Sequence, residues 1–298
     1  MRVPSIPLPV PAARAVVRLT LRPALGPTVP VRRQRRLLEA AAVALPPPRG
    51  THVVATTLGG RPADVVSAPV TDPDRAVLYL HGGGYTVGSP RTHRALAAHL
   101  SATAAAPVHA LDYRLAPEHP HPAAIEDAEA AFLELAGRGL RVAIAGDSAG
   151  GGLALALAVR LRDAGGPTPT ALALVSPWVD LTLVGVADDP RDPLLTRDWL
   201  AACATRYAGP DGPPLDDPAL SPLHADLAGL PPTIVHGSEQ EILLADVERV
   251  ARELERAGTP TTYRRLEGVW HVVHLQAGTV APATEAVADL GRFLRRHP

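Results

Sequence analysis

No lysine occurs among the 298 residues; all 29 basic side chains are arginine. That absence excludes a Schiff-base lysine, a phosphate-loop lysine and a Ser–Lys dyad. Arginine keeps its charge and cannot stand in as a general base. There is one cysteine, Cys203, so neither an internal disulfide framework nor a multi-cysteine zinc site can form. Cys203 is expected as a small buried hydrophobe. No run reaches the ~18 apolar residues of a membrane span. The net charge of −1 gives no general draw toward nucleic acid or anionic lipid, so neither a nucleic-acid partner nor stable membrane insertion is expected. Acidic residues are missing up to Leu38, while Arg2, Arg14, Arg18, Arg22, Arg32, Arg33, Arg35 and Arg36 spread through the same stretch. Prolines and arginines interrupt any apolar leader core there, which speaks against a secretory peptide and for a cytoplasmic location. One or two basic helices covering the main body are expected; a surface-binding amphipathic segment is the sharper alternative.

What is present is a composition of 46% hydrophobic and 20% charged residues, that of a globular chain. Its length suits one large domain with room for a small subdomain. The proline break "ALPPPRG" (44–50) separates the N-terminal arm from the rest. Two strand-like runs follow, joined at Gly59–Gly60. Short apolar runs then alternate with helical patterns: "AVLYLHG", "PVHALDYR", "RVAIAG", "TALALVSP", "PTIVHG" and "TPTTYRRLEG" read as strands. This predicts an α/β chain with a mostly parallel central sheet flanked by helices. From about Val186 to Leu230 the pattern is less regular and proline-rich. Functional residues in such folds collect at the carboxyl ends of the strands.

In "AIAGDSAGG" a strand ends near Ala145 and a helix begins near Ala149, so Ser148 falls on the turn between them. Gly146 and Gly150 flank it with G-x-S-x-G spacing. A nucleophile on a sharp strand-to-helix turn needs strained backbone and close neighbours, which bare glycine permits. The turn also sets unpaired helix N–H groups beside the hydroxyl. A phosphate-binding turn would want a lysine or G-x-G-x-x-G, and neither is here. Asp147, next to the serine, reads as a carboxylate favoured at a helix N-terminus.

His81-Gly82-Gly83-Gly84-Tyr85 also follows a strand. Attack of a serine on an ester carbonyl creates an oxyanion, which exposed backbone N–H groups can stabilise. A glycine loop supplies such donors, and the N–H of Ala149 supplies another.

The stretches "HGGGY", "YRLAPEHPHPAAIEDA", "GDSAGGG", "SPWVDL", "SPLHADLAGLPP" and "VWHVVH", in this order, resemble the hormone-sensitive-lipase-like branch of the α/β-hydrolase fold, the bacterial family IV esterases. The resemblance covers roughly residues 50–296. It implies a serine carboxylic-ester hydrolase acting on short- to medium-chain acyl esters, with an oxyanion hole from Gly83, Gly84 and Ala149. It also implies a helical cap from residues 1–50 and an insertion at about 186–220, over a catalytic domain of 51–298.

A serine needs a histidine to take its proton and a carboxylate to orient that histidine. The order in this fold is serine, acid, histidine. His271 follows a strand directly and matches the family's histidine position. His274 is expected in packing, and His81 as a brace for the glycine loop. Glu239, Glu241 and Asp246 compete as the acid. The family's acid-x-Leu pattern fits Glu241-Ile242-Leu243, although aspartate is commoner there. Tyr113, Arg114 and Glu118 are read as an internal brace. Tyr85, Trp178, Trp199 and Tyr207 are offered as substrate-pocket walls. No metal or organic cofactor is expected; the partner is a small-molecule ester, and a homodimer is allowed. Rivals are a lactone hydrolase or pathway-specific deacylase with the same triad, a non-catalytic ligand receptor on this fold, and a membrane-surface lipase.

Overall fold

Alternate residues of the central strands feed two separate apolar layers, the period-2 signature of a sheet covered on both faces. Leu78, Leu80, Ile144, Leu172 and Leu174 join one core with helices α4 (Ala123–Gly137), α5 (Ala149–Asp163) and α7 (Leu244–Arg256). Val77, Tyr79, Ala143, Ala145, Ala173 and Val175 join another with α3 (Arg94–Ala104) and α8 (Ala281–Arg296). The computed structural model describes residues 8–45 and 47–298. Arg2 and the rest of 1–7, with Pro46, lie outside the described residues.

The sheet has eight strands in the order β1-β2-β4-β3-β5-β6-β7-β8. They are β1 (His52–Leu58), β2 (Arg61–Ser67), β3 (Arg75–Leu80), β4 (Val108–Leu111), β5 (Arg141–Asp147), β6 (Leu172–Val175), β7 (Thr233–Gln240) and β8 (Thr261–Trp270). The hairpin strand β1 pairs antiparallel with β2, and β2 antiparallel with β4; every other pairing is parallel. This is the α/β-hydrolase architecture the sequence implied.

Two pairings matter for function. Leu80 of β3 pairs with Gly146 of β5, so the glycine triplet and the serine turn leave the sheet side by side. Gln240 of β7 pairs with Trp270 of β8, so Glu241 and His271 leave it together. Parallel strands in register bring residues far apart in sequence to one edge of the sheet.

The N-terminal arm forms two helices, α1 (Val10–Thr20) and α2 (Val31–Ala42). Ala13 and Val17 of α1 pack against Val269, Trp270 and Val273 beside the end of β8. Four of the arginines of this basic arm tie it to the main body, as helices covering that body would. Arg14, Arg18 and Arg22 donate to backbone carbonyls of residues 190–192, and Arg35 pairs with Glu118.

The stretch read as irregular contains a regular helix, α6 (Arg197–Ala208). Thr196 caps it, its hydroxyl accepting from Trp199 N–H. Trp199, Cys203 and Tyr207, spaced four apart, form its buried face. Flanking prolines at 190, 193 and 210 masked that period. Among the described residues no helix is long and apolar enough to cross a membrane.

Candidate active site

Ser148 adopts φ 51° and ψ −121° between β5 and α5, a conformation L-residues avoid, held here by its surroundings. Its N–H donates to Val175 O at 2.8 Å, and its carbonyl accepts from Trp178 N–H at 2.9 Å and Gly152 N–H at 3.0 Å. The flanking glycines are demanded by space. A Cβ on Gly150 would lie 2.0 Å from the carbonyl oxygen of Leu80, and one on Gly146 2.3 Å from that of Gly150.

The triplet begins two residues past β3, after His81. Gly83 (φ 124°) and Gly84 (φ 59°) both lie in left-handed space. The Gly83 carbonyl accepts from Thr86 and Val87 N–H groups. The N–H groups of Gly83 and Gly84 donate to no protein acceptor among the described residues. The N–H of Ala149, first residue of α5, has no partner within its helix by construction.

His271 sits immediately after β8. Its Nδ1–H donates to Glu241 Oε2 at 2.6 Å, with both side chains buried. The other carboxylate oxygen, Oε1, accepts from Ser238 N–H at 2.8 Å, which fixes the carboxylate plane. Burial, the largest influence on His271, opposes its proton. The Glu241 hydrogen bond and charge, with Asp192 and Asp147 further off, outweigh it, and the imidazole pKa is raised. Nε2 of His271 is buried and without a hydrogen-bond partner among the described residues. With Nδ1 carrying the proton, Nε2 is a free acceptor.

The other two candidate acids point elsewhere. Glu239 accepts from Gly268 N–H at 2.7 Å. Asp246 sits in the first turn of α7, pushed up to about 6 by burial and then by the nearby Asp180 charge.

Ser148, His271, Gly82 and Gly83 line one cavity of about 300 Å³. Val17, Leu21, Leu25, Leu38 and Ala42 line it from the N-terminal arm, with Leu194, Leu195 and Trp199 from the later segment. Of the four aromatic residues expected as walls, only Trp199 lines this cavity. Tyr85 stacks on Tyr207, centroids 3.7 Å apart, and Trp178 is fully buried with its indole N–H on Asp180 O. These three are core residues whose rings are consumed by packing. Gly84 packs against α6, where a Cβ would meet Cys203 Sγ at 2.9 Å and Trp199 at 3.0 Å. Cys203 is buried as expected, and burial pushes its thiol up to about 12.

Asp147 departs from its reading as a helix-terminus charge. It ends β5, and its carboxylate accepts from Tyr79 OH at 2.7 Å and Gly82 N–H at 3.0 Å, with His93 Nε2 at 3.3 Å. Burial alone would raise its pKa; His93, Tyr79 and Gly82 together bring it down to about 2. Asp147 therefore ties the glycine loop to the serine turn. His93, missed in the sequence, shares that cluster, and no local motif marks it. His81 braces the loop as expected, stacked on Tyr113 at 4.3 Å with Nδ1–H donating to Gly82 O. Burial, then His93, lowers its pKa to about 3. His274 is packed against His236 in the interior. The Tyr113–Arg114–Glu118 brace is split: Tyr113 OH donates to His81 O, Arg114 grips Asp127, and Glu118 pairs with Arg35.

Residues 77–275 match the family described by its α/β-hydrolase fold. An acetyl-hydrolase of Streptomyces hygroscopicus is 40% identical over 253 residues, covering 80% of this chain and 84% of that protein. An esterase of Acinetobacter venetianus is 36% identical, with 73% of each chain covered. A crystal structure of an esterase from the bacterial hormone-sensitive lipase family superposes with a TM-score of 0.89 at 35% identity, covering 95% of this chain and 97% of that one. A mostly parallel sheet with a serine turn after its fifth strand is the arrangement of an α/β hydrolase. The chain belongs to that family, within its bacterial hormone-sensitive-lipase branch of esterases.

Proposed function

We propose that the chain is a serine carboxylic-ester hydrolase for short- to medium-chain acyl esters, working through an acyl-enzyme. One observation carries this: His271, clamped by Glu241 at Nδ1 and free at buried Nε2, shares a cavity with Ser148.

Ser148 Oγ bonds to the acyl carbon as His271 Nε2 takes its proton. The carbonyl oxygen becomes an oxyanion, met by the N–H groups of Gly83, Gly84 and Ala149. One such donor is typically worth about 100–1000-fold in rate. His271 passes its proton to the leaving alcohol, and the acyl group stays on Ser148. A water then gives its proton to His271 as its oxygen attacks the acyl carbon, releasing the acid and restoring the serine. Glu241 holds the imidazole in the productive tautomer and balances the imidazolium charge. The N-terminal helices and the 186–220 segment act as a cap whose apolar side chains receive the substrate. The acetyl-hydrolase and esterase names of the relatives agree with this substrate class.

The test is a p-nitrophenyl ester series from acetate to long chains, with lactones beside it, on the wild type and Ser148→Ala. The wild type is expected to turn over acetate to medium-chain esters, and the variant to lose all but background rate. Ester hydrolysis surviving in Ser148→Ala would refute the assignment.

A further inference from the structure

The segment before α6 carries a carboxylate that the mechanism above does not use. Asp192 is fully buried. Its Oδ1 accepts from Leu194 N–H at 2.8 Å and Leu195 N–H at 3.0 Å, folding its own turn. Its Oδ2 reaches across the fold to Ile242 N–H at 3.2 Å, the residue that follows Glu241.

That turn is itself held from above. Arg14, Arg18 and Arg22 recur every four residues, so they share one face of α1 and its continuation. They donate to the carbonyls of Arg191 (3.2 Å), Pro190 (3.0 Å) and Asp192 (2.5 Å) in turn. Arg14 also donates to Gly268 O at 3.0 Å and lies 5.7 Å over the Trp270 ring, both just upstream of His271. Helix α1 and its continuation thus grip the loop bearing Asp192 and the end of the strand that leads into His271. Asp192 in turn grips the loop bearing Glu241.

We propose that Asp192 is a positioning residue for the Glu241–His271 pair, held in place by the arginine row of α1 and its continuation. The inference rests on the ester-hydrolase reading above. Asp192 does two things. It fixes the backbone beside Glu241, so that the carboxylate meets Nδ1 squarely. It also adds a second negative charge in the low-dielectric surroundings of the imidazolium, where charges act over longer distances than in water; burial raises the Asp192 pKa, and His271 with the N–H groups of Leu195, Leu194 and Ile242 works against that rise. The charged and titratable groups acting on His271 are Glu241, Asp192 and Asp147, all favouring the proton, with neutral His274 nearby and burial opposing. Asp192 does not line the cavity, whereas Leu194 and Leu195 do.

Asp192→Asn separates these roles from plain structure. The amide keeps a carbonyl oxygen for Leu194 and Leu195, so the cavity wall stands. It loses the charge and sets an NH2 against Ile242 N–H. The expected result is a kcat lowered about tenfold or more, as small misplacements of reacting groups cost, with KM nearly unchanged. The acidic limb of kcat/KM should move to lower pH, since one charge favouring the imidazolium is gone. Arg22→Gln keeps the Asp192 charge and loosens its turn; kcat should fall with the acidic limb in place. It also serves where Asp192→Asn fails to fold. Wild-type kcat and acidic limb in folded Asp192→Asn would overturn the proposal, as would wild-type kcat in Arg22→Gln. A loss of thermal stability with unchanged kinetics in either variant would make Asp192 structural only and equally overturn it. Ser148→Ala runs in parallel. Its inactivity beside an active wild type secures the serine reading separately, so an unaffected Asp192→Asn counts against Asp192 alone.

Discussion

Glu241 shows how much depends on the direction of one side chain. Three carboxylates lie within eight residues at the end of β7, and the residue pattern leaves Glu239, Glu241 and Asp246 in competition. Only the fold separates them, because Ser238 N–H and His271 Nδ1 together claim both oxygens of Glu241. The extra methylene relative to aspartate is taken up by that two-point grip. A raised His271 pKa means that the acid form persists above the usual ~6.5 for histidine. Activity that needs neutral Nε2 should therefore rise through a midpoint above that value, read from kcat/KM against pH. Glu241→Gln keeps the shape and removes the charge. It should move the midpoint down and cut kcat on the order of 10⁴-fold, the cost seen when such an orienting carboxylate becomes an amide. A variant with an unmoved midpoint would dissociate Glu241 from His271. A short local pattern marks both Ser148 and His271 in the sequence. The role of Asp147 is not so marked: its partners Tyr79, Gly82 and His93 come from 54 to 68 positions earlier in the chain, and a helix start beside it accounts for an acid there without them.

At the scale of elements, the site is made by strand register and by the absence of side chains. β3 and β5 end level with each other, which is why the two glycine clusters meet. The alternation of apolar runs and helical patterns made the parallel sheet readable, since strands buried on both faces form near-continuous apolar runs. Helix α6 was hidden by its flanking prolines, although Trp199, Cys203 and Tyr207 already spell one face. The anchoring role of Arg14, Arg18 and Arg22 was hidden for another reason. Their acceptors are backbone carbonyls, which no side-chain pattern reveals. The approach of α5 to β3 gives a direct test. Gly150→Ala would place a methyl 2.0 Å from the backbone oxygen of Leu80, and backbone at a strand end yields little. Overpacking of this kind costs about 1–3 kcal/mol. The urea midpoint should fall accordingly, and activity with it as the serine turn shifts. A stable, fully active Gly150→Ala protein would contradict the close approach.

For the whole molecule, the sheet edge and the N-terminal arm enclose one cavity between reactive polar groups and apolar walls. Segments separated by more than two hundred residues contribute to it, from Val16 to Gln276. Such an assembly is visible in the sequence only as an ordered set of motifs; the cavity's size and its real walls depend on packing, which is why only one of four expected aromatic residues reaches it. The central claim is that strand ends from both halves of the sheet make Ser148, and no other hydroxyl, a nucleophile. Covalent labelling with a small alkyl fluorophosphonate, read by mass spectrometry of the intact protein and its peptides, tests this most directly. The prediction is one adduct per chain, on the peptide containing Ser148, with labelling slowed strongly in His271→Ala. An adduct elsewhere that abolishes hydrolysis, or full hydrolysis with Ser148 labelled, would contradict it.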